Sequence, residues 1–555
     1  MKNFKRIFAV TTTAALTVSL VACGGGTTDG GTATGESQPI TLPVTTDFKK
    51  LNNLTESTSP ELGILQNSME GLVRYNAEGT VIEPAIAEDW TISDDQLTYT
   101  FNLRDAQWSD GTPVTANDFV FAWNTVAKPE TAAGYASFME YIEGGKGAGT
   151  ADYTGPLAVT AVDDKTLEVK LAEPTPFLLS LLSFPTFFPV NEEFYTNVGA
   201  DKYGTTADTS LSNGPFTVTT WDKDQQLVLT KNETYWDAET VALPSVTFRV
   251  VQDEATTVQL FDSGELTRMN VSGDYYDRYK DDAGFDTAKD LSIWYLSVNQ
   301  NNNNKNPMLQ NADFRKALST AIDREVIANQ VYKNGSFPAN YLITAGVVAD
   351  EDGVDFREQP FAGEFSTTAD AAKAQEYLDA AYAATGEKSA TVEISFVESP
   401  RNTRLMEVLQ QQIQTALPTV TVELRKIPSA SYFDQLAAGD FEMAWQGWGP
   451  DYADPSTMMV IAESADSHNY GKYSNPAADA LFAEGMALNA DGQMTERMEK
   501  FAEMENLVIG EDQAMIPLMQ SGRAFVEKEG LEGIIYSAYG GNTGFFKWAD
   551  YVPAN

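Results

Sequence analysis

The stretch from Ala390 to Gln446 reads strand, helix, strand, helix, strand, and nothing else in the chain restricts the possible folds as much. "ATVEISFV" (390–397) alternates Val392, Ile394 and Phe396 with other side chains, the period of a strand. Pro400 precedes a helical stretch with Leu405, Leu409 and Ile413 at i, i+4 and i+8, and Pro418 closes it. "VTVELRKI" (420–427) alternates Val420, Val422 and Leu424, and Ser431–Ala438 forms a short helix ended by Gly439. "FEMAWQ" (441–446) sets Phe441, Met443 and Trp445 against Glu442, Ala444 and Gln446. Strands separated by helices predict an α/β lobe with a largely parallel sheet. Gly447-Trp448-Gly449-Pro450-Asp451 then lies just beyond the carboxyl end of the last strand, where open α/β sheets bind ligands. By itself, Asp451 is either a turn acid capping its own loop or a carboxylate at a cleft.

The N-terminal half is strand-rich instead. Leu97, Tyr99, Phe101 and Leu103 point one way; Asp110-Gly111 marks a turn; Thr115-x-x-Asp118 caps a helix whose apolar face is Phe119, Val120, Trp123 and Val126. Two further strand pairs lie within 153–174 and 214–236. With 555 residues the chain exceeds the ~250–300 at which single cores stop growing, so two lobes of different make-up are predicted.

The formal charge of −42 repels phosphate backbones and argues against nucleic-acid binding; it favours solubility. One cysteine, Cys23, cannot form an internal disulfide, and with one histidine, His468, there is no Cys/His cluster for a metal. A Ser-His or Cys-His enzyme would have to use His468, which sits in the polar stretch "ADSHNYGKYSNP". No catalytic residue, metal or cofactor is expected.

Residues 1–22 have a basic start and an apolar run from Ile7 to Ala22, too short to span a membrane, and read as a signal peptide. Leu20-Val21-Ala22-Cys23 resembles the bacterial lipobox, which implies cleavage before Cys23 and lipid attachment there. Two acyl chains suffice for stable anchoring at a membrane surface. Residues 23–39 form the lipidated cysteine and a flexible linker rich in Gly and Thr.

The motifs "MEGLVRYNAEG" (69–79), "LRDAQWSDGTPVTANDFVFAWNTV" (103–126), "SNGPF" (212–216), "LTKNETYW" (229–236), "FRKALSTAIDRE" (314–325) and "GWGPDYADP" (447–455) stand in family order. From about residue 40 to 550 the chain resembles the extracytoplasmic oligopeptide-binding lipoproteins of ABC importers, within the peptide/nickel solute-binding family. The resemblance implies an α/β, bilobed clamshell of the periplasmic-binding-protein type (type II, three structural domains). Lobe 1 would comprise 40–71, 208–292 and 519–555, with an inserted domain at 72–207; lobe 2 would be 293–518. Two hinge strands would lie near Leu291–Asn299 and Ala514–Arg523.

The resemblance also implies that Asp451 pairs with the α-ammonium group of a peptide, with Trp448, Tyr452 and Gly447 in step. Trp448 reads as cleft wall, Trp445 as either core or cleft, and Tyr135 and Tyr295 match aromatic positions that line the family's cleft. Asp454 reads as Asp-Pro turn chemistry, and Asn301–Asn304 as a solvated loop. Where some members carry a cation for the peptide's C-terminus, this chain has Trp445. The implied function is a monomeric receptor, lipid-anchored on the outer face of a bacterial membrane, more in keeping with a Gram-positive cell than a periplasm. It would deliver oligopeptides to a permease and its ATPase. The alternatives are a sensor of a signalling peptide, a binder of a metal chelate or oligosaccharide, a secreted peptidase or an adhesin.

Overall fold

The computed structural model describes residues 35–553 except 78, 80, 302–305, 491, 537, 538 and 540–543. The signal segment, Cys23, most of the linker and Asn302–Asn304 lie outside the described residues.

Strand β1 (Ile40–Val44) pairs in parallel with a strand met some two hundred residues later. In between, β2 (Ala87–Ile92), β3 (Thr98–Leu103), β4 (Val159–Asp163) and β5 (Thr166–Lys170) form an antiparallel sheet in the order β2-β3-β5-β4. The helix Ala116–Val126 packs beside them. Asp118 accepts the Thr115 amide at 2.9 Å, as a capping box requires, and the Trp108 indole at 3.3 Å. The "WSDGTP" stretch is therefore turn, cap and core, with Trp108 and Trp123 fully buried. The chain returns through β6 (Phe216–Asp222), β7 (Gln226–Lys231) and β8 (Ser245–Val250) to complete the sheet β1-β8-β7-β6. Both four-stranded sheets share one hydrophobic core.

The remaining chain builds a seven-stranded sheet. Its members are β9 (Arg268–Val271), β10 (Phe285–Val298), β11 (Ala390–Val397), β12 (Val420–Ile427), β13 (Met443–Trp448) and β14 (Met515–Glu527), in the order β9-β14-β10-β13-β11-β12, with Phe337–Pro338 added beside β14. Among the paired neighbours of this sheet only β13–β11 and β11–β12 are parallel. β10 lies antiparallel to both β13 and β14, so the expected largely parallel sheet is in fact mixed. The reason is topological: a crossover helix constrains only the strands it joins, and β10 and β14 come from distant parts of the chain.

The crossover helices, Pro400–Ala416 and Ser429–Ala437, occupy the predicted places, and Gly439 takes a left-handed φ of +71° after the second. β13 runs two residues further than expected: Gly447 and Trp448 still pair with Trp294 and Ile293. Its alternation was incomplete as a guide, because Ala444 and Gln446 are buried as fully as Met443 and Trp445. A strand inside a sheet covered on both faces has no solvent side. β10 and β14 are the two long strands that run from the Val258–Tyr279 cluster into the cores of the second lobe. Their pairing breaks register between Lys289 and Ile293.

Candidate functional site

Beyond Trp448 the chain leaves the sheet and turns through Gly449-Pro450-Asp451. Thr457 holds this turn from behind: its carbonyl accepts the Trp448 indole N–H at 2.6 Å, and its Oγ1 accepts the Asp451 amide at 3.0 Å. Asp454 also secures it. Its Oδ1 accepts the Ser456 amide at 2.9 Å, the turn chemistry expected of Asp-Pro. The same carboxylate is fully buried and paired bidentately with Arg497, Nε to Oδ2 at 2.7 Å and Nη2 to Oδ1 at 2.9 Å. Turn chemistry thus describes only half of Asp454.

The first lobe supplies the facing wall. Tyr135, Phe138 and Tyr141 come from the segment after the capped helix, and with Trp448, Asp451 and His468 they line a cavity of about 290 Å3. Tyr135 donates its hydroxyl to Asp451 Oδ1 at 3.1 Å. Tyr452 crosses into the first lobe's core, where its ring stacks on Phe177 at 4.4 Å and 14° and meets Phe138 edge-on at 6.0 Å. The Ala453 amide donates to Ser180 Oγ at 2.8 Å. The turn is therefore gripped from both lobes.

Burial pushes the Asp451 carboxyl up to about 7, against the opposing pull of the Tyr135 hydrogen bond and of His468. For His468, burial alone would lower the pKa; the bond to Asp466 (Nδ1 to Oδ1, 2.9 Å) and the charges of Asp466 and Asp451 outweigh it, and the net shift is upward. Its ring lies 4.9 Å from that of Trp448. Glu140, Glu173 and Asp466 also line the cavity, and among the described residues no lysine or arginine does. The arrangement suits a cation: an ammonium group would restore full charge to Asp451 in a place where ionisation is otherwise opposed. Among the described residues no group of three or more His, Cys, Asp or Glu is placed to hold a metal ion.

Asp451, Trp448, Tyr452 and Tyr135 are brought together in this cavity. Gly447 sits exposed at the end of β13, where an added Cβ would stand 3.2 Å from the Trp294 ring. Trp445 and Tyr295 are placed differently. Trp445 is 3% exposed and stacks on Trp294 at 5.1 Å, taking the core option of its two readings. Tyr295 is buried and donates to Gln446 Oε1 at 3.1 Å within the sheet, away from the cavity wall expected of it. Both stand within strands covered on two faces, so burial there does not single out a cleft. Sequence reasoning missed His468 and Asp466 as cavity residues. Nothing local in the polar stretch around His468 links it to a turn seventeen residues earlier.

Two lobes joined by paired long strands, meeting over an acidic cavity with aromatic walls, define a clamshell solute-binding protein. The chain belongs to the bacterial extracellular solute-binding proteins, family 5, whose middle-region model matches residues 81–470. It is 33% identical over 515 residues to the dipeptide-binding protein DppE of Bacillus subtilis (strain 168), spanning 90% of this chain and 91% of that protein. Among solved structures it is similar to the substrate-binding domain of an oligopeptide ABC transporter from Bacillus anthracis (TM-score 0.83, 33% identity, covering 94% of this chain and 99% of that one). It is likewise similar to Listeria monocytogenes OppA bound to peptide (TM-score 0.82, 31% identity, covering 94% and 100%). No helix of the described residues is long and apolar enough to cross a membrane.

Proposed function

We propose that this protein is an extracytoplasmic receptor that captures oligopeptides between its lobes and hands them to an ABC permease, without catalysing any reaction. The observation that carries this reading is the Asp451 carboxylate on the wall of the inter-lobe cavity, its ionisation opposed by burial and its side chain bonded to a neutral phenol. Every free peptide carries an α-ammonium group, so one carboxylate anchors peptides of any sequence. Peptide binding by relatives named for dipeptides and oligopeptides supports the assignment. The division into lobe 1 (40–71, 208–292, 519–555), inserted domain (72–207) and lobe 2 (293–518) fits this function, because closure about β10 and β14 would enclose the ligand. Mass spectrometry of the freshly purified protein under native conditions tests the reading. Co-purified peptides are expected; another class of solute in the cleft would overturn it.

Affinity should depend on pH with a definite sign. The ammonium group needs the ionised carboxylate, and Asp451 in the free protein holds its proton up to about pH 7. Peptide binding near neutral pH is thus expected to release a proton, to weaken roughly tenfold for each pH unit below about 7, and to weaken again above about pH 8 as the peptide's own ammonium group loses its proton. Calorimetry in two buffers of different ionisation enthalpy reads the proton directly; a pH-independent affinity between 5 and 7 would contradict the role of Asp451.

We further propose that the mature protein begins at Cys23 and is held by lipid on the outer face of the cell membrane as a monomer. Mass spectrometry of the membrane-extracted protein is expected to show an N-terminal Cys23 carrying a diacylglyceryl group; an unmodified Cys23 would exclude this anchor.

A further inference from the structure

A second cavity, of about 270 Å3, lies where two sheet edges meet on the first lobe. β1 and β9 are each the outer strand of their sheet. They touch through Thr41 and Thr267: the Thr267 amide and hydroxyl both donate to the Thr41 carbonyl at 3.0 Å. Residues beyond that contact, including Thr45, Thr46 and Asn270, line the space together with Arg268, Arg523 and Tyr536. Its described lining contains two arginines and no acid, in a chain with 79 Asp and Glu against 37 Lys and Arg. The described lining of the Asp451 cavity has the opposite character, with four carboxylates and no lysine or arginine.

Arg268 is only 4% exposed. Its Nη1 donates to Glu527 at 2.6 Å. Its Cζ stands 3.5 Å from the Phe525 ring and 4.5 Å from that of Tyr536, so the guanidinium is wedged against two aromatic rings. Among the described residues its Nε and Nη2, both buried, have no hydrogen-bond partner. Those two N–H groups are the parallel pair on one edge of the guanidinium, the fork that fits the two oxygens of a carboxylate. Arg523, paired with Asp290 at 2.7 Å, sets a second guanidinium 4.8 Å from the same Tyr536 ring. Buried donors are seldom left unpaired, because desolvating them without a partner is costly.

We propose that this cavity is a carboxylate-binding subsite for the peptide ligand, with the Nε–Nη2 edge of Arg268 as the receiving fork and Arg523 as the neighbouring charge. The inference rests on the peptide reading above. The carboxylate can be the ligand's C-terminus or an acidic side chain, and the chemistry of recognition is the same.

Titration calorimetry on the mature protein distinguishes the sources. The probes are tri-, tetra- and penta-alanine, their C-terminal amides, and versions carrying one internal Glu or Gln. If the C-terminus is bound, amidation weakens binding roughly 10- to 100-fold; if a side chain is bound, Glu exceeds Gln by a similar factor. In either case Arg268→Lys, which keeps a positive charge beside Glu527 but lacks the fork, should remove that difference while leaving sensitivity to N-acetylation intact. The proposal is overturned if acid and amide, and Glu and Gln, all bind alike to the unmodified protein, or if the difference survives in Arg268→Lys. If none of these peptides binds the unmodified protein, the peptide reading itself fails and the subsite falls with it.

Discussion

Asp451→Ala is expected to weaken peptide binding by roughly 10²–10³-fold or more, the equivalent of about 3–5 kcal/mol for a buried ammonium left without its partner. The expectation follows from where the carboxylate stands. Asp451 lines the inter-lobe cavity, its Oδ1 already accepts one hydrogen bond from Tyr135, and its amide is tied to Thr457. The backbone of the turn therefore does not depend on the side chain, and the variant should fold. Blocking the peptide's amine by acetylation should produce the same loss on the unmodified protein, because it removes the other half of the pair. The two changes together should cost little more than either alone, since both delete one interaction. Equal affinity for free and acetylated peptides would refute the anchoring role. So would an Asp451→Ala protein that still discriminated between them. Asp451→Asn should lie between, keeping an oxygen acceptor without the charge.

The second large effect is on stability. Arg497→Ala should destabilise the second lobe by about 3–5 kcal/mol, because it leaves the Asp454 carboxylate buried and unpaired. Both side chains are at most 1% exposed and joined by two hydrogen bonds of 2.7 and 2.9 Å. Arg497 also donates to the Gly485 carbonyl at 2.6 Å, and its guanidinium lies 5.4 Å from the Phe501 ring. Urea unfolding measures the change. Replacing both partners by apolar residues of similar size should recover most of it, because the larger part of the penalty is the stranded charge. A single substitution costing under about 1 kcal/mol would mean that the pair is not sealed from water. Asp454 stands three residues from Asp451, so Arg497→Ala should also loosen the turn and reduce ligand affinity. The Asp454 double replacement would show how much of that loss is geometric.

Much of the second lobe was legible in local pattern. Leu405, Leu409 and Ile413 recur at helical spacing, and all three are fully buried against the sheet. Thr115 and Asp118 announced a capped helix, and the capping box is present. The carboxylate of the Gly-Trp-Gly-Pro-Asp turn was placed by the same logic, since the end of a strand in an α/β sheet lies at a crevice. Less was legible in β13. Alternation separates two faces only when one of them meets water, and both faces of β13 are covered, so Trp445 gave no sign of which side it served. Its partner in the core, Trp294, lies about 150 residues away.

The sequence by itself determined the alternation of strands and helices, the positions of caps and turns, the acidity of the surface and the family to which the chain belongs. All of these depend on residues a few positions apart or on composition, and the physics of backbone and side-chain periodicity is local. Only the tertiary structure decided that the sheet is mixed, that His468 and Asp466 share the cavity of Asp451, that Asp454 is held by Arg497, and that two N–H groups of Arg268 are buried without a described partner between two sheet edges. Each of these is a contact between segments far apart in the chain, and its energy comes from excluding water from groups that no local pattern brings together.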